Sequence, residues 1–434
     1  MRRGTGAWGH RGTETTPARL FGAPVSLCLC APLLGILLCA PLRLAAQTDE
    51  SLQRLTREVV PQVERAVGLS FRRPPTVAVR TRAQLRRYLD RKMAEQYPAA
   101  ELAAVERAYR AFGLVHDTVR LGALMLDLLG EQVAGFYDPD SSTLFVVRGA
   151  DPAMLRLVLA HELVHALQDQ YMPLAPILKQ RRQNDRAMAG QAVAEGQATL
   201  ASLLALQPGL DLGRLGALWD QMRDGIRSAQ GGMPVFATAP RIIQEGLLFP
   251  YVAGADFMRA YELRRSRPGE MPYGDRLPVS TEQILHPSRY FAGERPVRMT
   301  IGASPGDTIV YEDDFGEFET RITLESWGAS EPDAVAAAGG WNGDRYRVLG
   351  MGGTAIIWAT AWDTAEDAAQ FERLVRRLWA GRARAGARRQ VDMLEIGGVK
   401  VVRLVDAPAA WRGWRRLPDV RISRSGRESG AGSR

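Results

Sequence analysis

Cysteine is scarce and confined: of 434 residues only Cys28, Cys30 and Cys39 are cysteine, and none lies beyond residue 39. Once an amino-terminal segment holding them is removed, no disulfide can form and no cysteine can close a structural metal site. Stability must then come from buried apolar surface and from any bound ion, and a hydrophobic content of 46% is ordinary for that purpose. Histidine is sparse too, with five in all. The chain has no internal repeat, no phosphate-cradling glycine loop and no serine-nucleophile elbow. It also lacks the aromatic-interleaved basic stretches and groove-reading motifs of nucleic-acid recognition, so no nucleic-acid partner is expected. The formal net charge of +8 sits at the two ends, in the first 46 residues and in the arginine-rich runs Arg382–Arg389 and Arg421–Arg434. Such a carboxy-terminal tail, 411–434, reads as solvated, disordered chain, the alternative being a polyanion-binding tail.

What is present begins with an export pattern. Arg2, Arg3, Arg11 and Arg19 precede an apolar stretch from Leu20 to Leu42, and Leu44-Ala45-Ala46 offers small residues for cleavage before Gln47. Residues 1–46 are therefore expected to be a signal peptide, or alternatively a membrane anchor acting through residues 20–42. Either places the remainder outside the cytoplasm, periplasmic or secreted. Each cysteine follows a leucine, where a lipoprotein signal would carry a small residue.

The central feature is His161-Glu162-Leu163-Val164-His165. On a helix, positions i and i+4 share a face, so two imidazoles at this spacing can reach one ion, with Glu162 beside it. Met154, Leu155, Val158, Leu159, Leu163 and Leu167 supply a buried stripe for that helix, and Asp151 and Pro152 suit its start. With cysteine absent, an open site carrying water in the fourth position is favoured over a closed structural one.

Two ligands do not complete a zinc site. The extended pattern with a glycine and a third histidine downstream is excluded, because Gln168 and Tyr171 occupy those places. A glutamate from a second helix remains, and Ala194-Glu195-Gly196-Gln197-Ala198-Thr199 offers Glu195 within a helical stretch. The small residues Ala192, Ala194, Gly196 and Ala198 would let that helix approach the histidine helix.

Over roughly residues 130–210 the chain resembles the gluzincins, the thermolysin-like superfamily of zinc peptidases. The resemblance implies His161, His165 and Glu195 as ligands of one Zn²⁺ and Glu162 as general base, with a protein or peptide as substrate. It departs at Thr199, where the thermolysin group places an orienting aspartate. The aminopeptidase stretch Gly-x-Met-Glu-Asn does not occur, so an endopeptidase is expected. The expected activity is peptide-bond hydrolysis by a zinc-activated water, the alternative being a zinc-retaining but inactive binding protein of the envelope.

Downstream, Ser280-Thr281-Glu282-Gln283-Ile284-Leu285-His286-Pro287 is similar to a stretch in bacterial secreted and archaeal surface metallopeptidases. His286 and Tyr290 are therefore candidates for stabilising an oxyanion, although Ser280 or Thr281 capping a short helix that ends at His286 explains the same residues. His116, ahead of Asp117, reads as a cap or surface residue.

The expected fold class is α+β: a zincin-like metallopeptidase core, with a small mixed sheet, an active-site helix and a helical second half, followed by a smaller α/β domain. The divisions are 47–130, an α/β lead-in; 131–300, the core; and 301–410, the carboxy-terminal domain. Runs at 132–137 and 143–147, joined by the turn-rich Asp138-Pro139-Asp140-Ser141-Ser142, predict a hairpin whose edge could hold extended substrate. Trp341-Asn342-Gly343-Asp344-Arg345-Tyr346 reads as a connection packing a domain seam, with an exosite as the alternative.

Overall fold

Helical periodicity, strand alternation and turn residues shape the chain as follows in a computed structural model, which describes residues 49–423 apart from 150–151, 179, 214–215, 268, 303–305, 351–352 and 383–385. The export segment 1–46, Asp151 and the end of the tail lie outside the described residues. Among the described residues, no helix is long and apolar enough to cross a membrane.

The chain is mixed α+β. Helix α1 (Asp49–Val67) leads into strand β1 (Thr76–Arg80), then α2 (Arg82–Gln96), α3 (Ala99–Phe112) and α4 (Leu121–Gln132). Thr81 starts α2 with a full capping box: its hydroxyl accepts from Gln84 N and the Gln84 side chain accepts from Thr81 N. Helix α4 is apolar almost all round, which is why no amphipathic stripe announces it. Strands β2 (Gly135–Asp138) and β3 (Thr143–Val147) form the expected hairpin. The three-stranded sheet runs β1-β3-β2, with β1 parallel and β2 antiparallel to β3, so β2 is an edge.

Next come α5 (Pro152–Tyr171), α6 (Leu174–Leu178), α7 (Asn184–Leu206), α8 (Gly216–Gly231), α9 (Pro234–Thr238), α10 (Arg241–Arg264), α11 (Thr281–Leu285) and α12 (Pro287–Ala292). Helix α7 is buried along almost its whole length, between α5 and α1 on one side and α10 on the other. Its small residues do not all serve the histidine helix. At about 100° per residue, positions two apart point nearly opposite ways. Ala194 and Ala198 pack with Leu163 and Leu167 of α5, whereas Ala192 and Gly196 meet the backbone of α10 at Gly254.

The carboxy-terminal half begins with β4 (Arg298–Ile301) and β5 (Thr308–Asp313), then α13 (Gly316–Ser326), α14 (Glu331–Ala338), β6 (Trp341–Gly350), β7 (Thr354–Trp362), α15 (Ala365–Ala380), β8 (Ala387–Ile396), β9 (Val399–Pro408) and β10 (Val420–Ser423). Five strands form an antiparallel sheet in the order β5-β6-β7-β9-β8, and β4 pairs with β10. Three expectations change here. Trp341 to Tyr346 is not a connection but the start of β6, where both aromatic rings are buried. The tail stays ordered through β10, because Val420 and Ile422 pack with Met299 and Ala359. The boundary at residue 300 cuts β4, whose partner β10 lies beyond 410.

Nor is the lead-in a separate unit. Phe112 of α3 sits edge-on to Phe315, Tyr346 and Trp358 at ring-centroid distances of 4.9, 5.1 and 5.9 Å, and its carbonyl accepts from the Trp327 indole at 2.7 Å. Residues from 85 to 404 thus share one core.

The carboxy-terminal half also caps the glutamate-bearing helix. Asn184 N and Asp185 N, at the start of α7, donate to Asp313 Oδ1 at 3.0 Å and Asp314 Oδ1 at 2.8 Å. Asp185 in turn accepts from Thr281 N and Oγ1. Burial pushes several carboxyls at this junction up: Asp344 to about 6, Asp185 to about 7 and Glu319 to about 8. Each binds its proton more tightly folded than unfolded, so its stabilising effect is complete below about pH 4 and is lost as pH rises through 6 to 8. Thermal melts are expected to show a lower midpoint at pH 8 than at pH 5, each carboxyl contributing about 1.4 kcal/mol per pH unit within its own window. An unchanged or rising midpoint would contradict this.

Candidate metal centre

Helix α5 places His161 and His165 one turn apart on the face toward α7, and α7 presents Glu195 between them. His161 Nε2 and His165 Nε2 are 3.2 Å apart, and each lies 3.3 Å from Glu195 Oε2. His165 and Glu195 are fully buried, while the His161 side chain keeps 12% exposure, so the cluster opens to solvent beside His161. Burial holds His161 below its ordinary pKa despite its hydrogen bond to Glu195. Burial alone would raise Glu195, but the charge and hydrogen bonds of His165 and His161 bring it well below the carboxylate range.

Two imidazoles and a carboxylate converge in this buried space. Atoms this close in a buried space are held together by shared protons, and a cation among them would take the place of those protons. A tetrahedron with ligand distances of about 2.0–2.1 Å has donor–donor edges of about 3.3–3.4 Å, and the observed triangle matches those edges. The donor set of two nitrogens and one carboxylate oxygen also suits zinc.

Glu162 is 1% exposed, on the helical turn between the two histidines. It abuts the edge strand: a Cβ on Gly135 of β2 would come within 3.6 Å of Glu162 Cγ and 2.6 Å of Val158 Cγ1. The absence of a side chain at Gly135 lets β2 lie this close.

The second layer of the site is one that the motif does not reveal. His165 Nδ1 lies 2.8 Å from Gln168 Oε1. The Gln168 amide donates to Ala194 O at 2.8 Å and to Gln197 Oε1 at 2.9 Å, which fixes its oxygen toward His165. His165 must then carry its proton on Nδ1 and direct the Nε2 lone pair at the cluster. Gln197 is held in turn by the Tyr273 hydroxyl, which donates to its oxygen, and by a contact from its amide to Met271 Sδ at 2.8 Å. Thr199, by contrast, is buried with no hydrogen-bond partner for its hydroxyl among the described residues. The orienting work expected near Thr199 falls to Gln168, Gln197 and Tyr273.

Gln168→Leu keeps the volume and removes the acceptor. It is expected to weaken zinc binding by about 10–100-fold while leaving the helical circular dichroism unchanged, as competition with a chromogenic chelator would show. Equal affinity would remove Gln168 from the site.

His286 and Tyr290 are not gathered with the three donors. Asp185 lies ten residues before Glu195, about 15 Å along α7, and it is at Asp185 that the Ser280–Gln283 turn docks. Ser280 caps α11 by accepting from Gln283 N at 3.3 Å. His286 Nε2 pairs with Glu317 at 2.8 Å, and this hydrogen bond raises its pKa. The Tyr290 hydroxyl donates to Arg276 O at 2.8 Å, and its ring packs on Phe257 and Phe291. The turn builds the fold. The aromatic residue beside the donors is instead Tyr251 of α10, 3% exposed and stacked on His161 with ring centroids 6.0 Å apart. A second carboxylate group, Glu282, Glu294 and Asp363, is centred on Arg289, which pairs with all three. His116, exposed and bonded to Thr118, matches the surface reading.

Among known families, the one described as Domain of unknown function (DUF8575) matches residues 307–410. That span runs from the start of β5 through β9 and includes Asp313 and Asp314, which cap α7, but none of the three converging donors. No curated protein and no solved structure matches the chain.

Proposed function

We propose that the chain is a zinc-dependent metallopeptidase on a zincin-like core of the gluzincin type, with His161, His165 and Glu195 holding one zinc ion. The observation that carries this reading is the donor triangle with edges of 3.2–3.3 Å, flanked on the same helical turn by Glu162. When bound, zinc supplies Lewis-acid chemistry, acidifying water and polarising a substrate carbonyl. Glu162 takes a proton from the attacking water and delivers it to the departing amine. Strand β2 lies against Glu162 through Gly135 at the margin of its sheet, but its four residues are buried, so it backs the base and does not present the open edge first sought there for an extended peptide. Tyr251, beside His161, takes the oxyanion-stabilising place first sought at His286 and Tyr290. Cleavage within chains, rather than from an end, follows from the missing aminopeptidase stretch. An extracytoplasmic setting, released or held by residues 20–42, rests on the export pattern of residues 1–46.

The test is elemental analysis together with digestion of unfolded casein. One equivalent of zinc, hydrolysis abolished by chelation and restored by zinc, and new termini internal to the substrate are the expected results. A chain that takes up no zinc, or that cleaves equally well with chelator present, overturns the proposal. Full zinc occupancy without hydrolysis of any peptide would leave a binding protein in its place.

A further inference from the structure

The donor cluster is nearly closed to solvent. Glu162 and Tyr251 are 1% and 3% exposed, His165 and Glu195 are fully buried, and so are all four residues of β2. Of these groups His161 alone keeps an opening, at 12% of its side chain. An extended peptide that brings a carbonyl to the ion needs room for its chain on both sides, so the elements flanking His161 and Glu162 must part before it can enter. Those elements are β2, which meets Glu162 through Gly135, and α10, whose Tyr251 stacks on His161.

Helix α9 ties these two walls together. On one side Val235 N and Phe236 N donate to the Glu131 carboxylate at 3.0 and 3.1 Å, in the last turn of α4 and four residues before Gly135. On the other side the Gln244 amide of α10 donates to Phe236 O at 2.8 Å and to Ala237 O at 3.2 Å, about two turns before Tyr251. Glu245, next to Gln244, pairs with Arg227 of α8 at 3.3 Å, which holds the preceding helix along the same wall. A five-residue helix thus bridges the elements that flank the donors.

Its own hold is slight. Phe236 is the one buried residue of α9, while Pro234, Ala237 and Thr238 are exposed. A helix of five residues has no stability by itself, so α9 stays in place through Phe236 and the hydrogen bonds of Glu131 and Gln244. Gly231 and Gly232, both exposed, join it to α8, and a Cβ on Gly231 would meet nothing within 4 Å. A glycine pair in open space gives the backbone freedom to turn there. We propose that α9 is a strap that holds the donor cluster closed against polypeptide, and that it swings out on Gly231-Gly232, parting α10 from β2, before a substrate chain enters. The purpose of the strap rests on the metallopeptidase reading, whereas its geometry does not.

Glu131→Ala with Gln244→Ala removes the strap's hydrogen bonds on both walls and touches neither the zinc donors nor the base. Hydrogen–deuterium exchange of the full chain reads closure without metal or turnover: the amides of α9 and of β2, residues 135–138, are expected to exchange at least about tenfold faster in the variant. Casein hydrolysis is expected to rise at least about threefold, with zinc content unchanged. Should the double variant fold poorly, Glu131→Gln, which weakens the same acceptor, is expected to give smaller increases in both. Unchanged exchange at 135–138 in a folded variant overturns the strap, and so does faster exchange with casein cleaved no faster than by the parent. Faster exchange in a chain that cleaves casein in neither form leaves the strap standing and counts against the peptidase reading instead.

Discussion

Glu162→Gln is expected to lower kcat for peptide hydrolysis by about 10³-fold or more while the protein keeps its zinc and its melting temperature. The substitution is nearly isosteric, which matters at a side chain 1% exposed and packed toward Gly135. It removes the one capacity the proposed chemistry needs there, the ability to accept and return a proton, and general-base contributions of about 10²–10⁴-fold are typical of positioned carboxylates. Glu162 is not among the three converging donor atoms, so metal content should not change. Glu195→Gln provides the contrast. It leaves a neutral amide where the carboxylate faced the two imidazoles, so zinc occupancy should fall steeply and activity with it. The pair of variants separates the two roles. Full activity in Glu162→Gln would place the base elsewhere, and zinc loss in that variant would make Glu162 a ligand.

The sequence made the first half of this site readable because its information is local. A histidine pair four residues apart needs only one helix to become a donor pair, and α5 is that helix. Glu195 is readable at one remove, through the small residues around it, but those residues also misdirect. Alternation at every second position places Ala194 and Ala198 on one face of α7 and Ala192 and Gly196 on the other, so they signal two close neighbours rather than one. Gln168 stands three residues after His165, where its type excluded one ligand pattern without revealing its partnership. Its network closes only through Ala194, Gln197 and Tyr273, which reach it from another helix and a loop. His286 erred in the opposite sense. As the only histidine downstream of the motif it stood out, yet its partner Glu317 lies 31 residues on, in a helix whose docking no local pattern specifies.

The same limit explains the domain boundaries. A boundary drawn from a change in local pattern near residue 300 cannot register that Phe112 is enclosed by Phe315, Tyr346 and Trp358. Nor can it register that Asp313 and Asp314 complete the first turn of α7. The matched span of residues 307–410 therefore holds the start of the helix that carries Glu195. Its removal should uncover the aromatic core and the start of that helix together, so a chain shortened at residue 300 is a poor test of the peptidase half.

Gly254→Leu is expected to destabilise the protein by about 3 kcal/mol or more and to reduce zinc affinity in whatever fraction folds. Helices α7 and α10 touch backbone to backbone here. A Cβ at Gly254 would stand 2.1 Å from Ala192 O, and one at Gly196 would stand 2.1 Å from the Gly254 carbonyl carbon. No rotamer relieves either contact, because the clash begins at Cβ and the opposing atoms are main chain. The helices must separate, and overpacking of a closed core already costs about 1–3 kcal/mol where side chains can yield. Separation has a direction as well as a cost. Gly196 follows Glu195 in the chain, and Tyr251 lies one turn before Gly254, so moving α10 away shifts the ring stacked on His161 and loosens the carboxylate facing it. Gly254→Ala should show the same two effects in smaller measure, which distinguishes steric separation from the loss of a particular side chain. Chemical denaturation with and without zinc measures both quantities in one titration. A Gly254→Leu variant as stable as the parent would show that the close approach of α7 and α10 does not hold Glu195 in place.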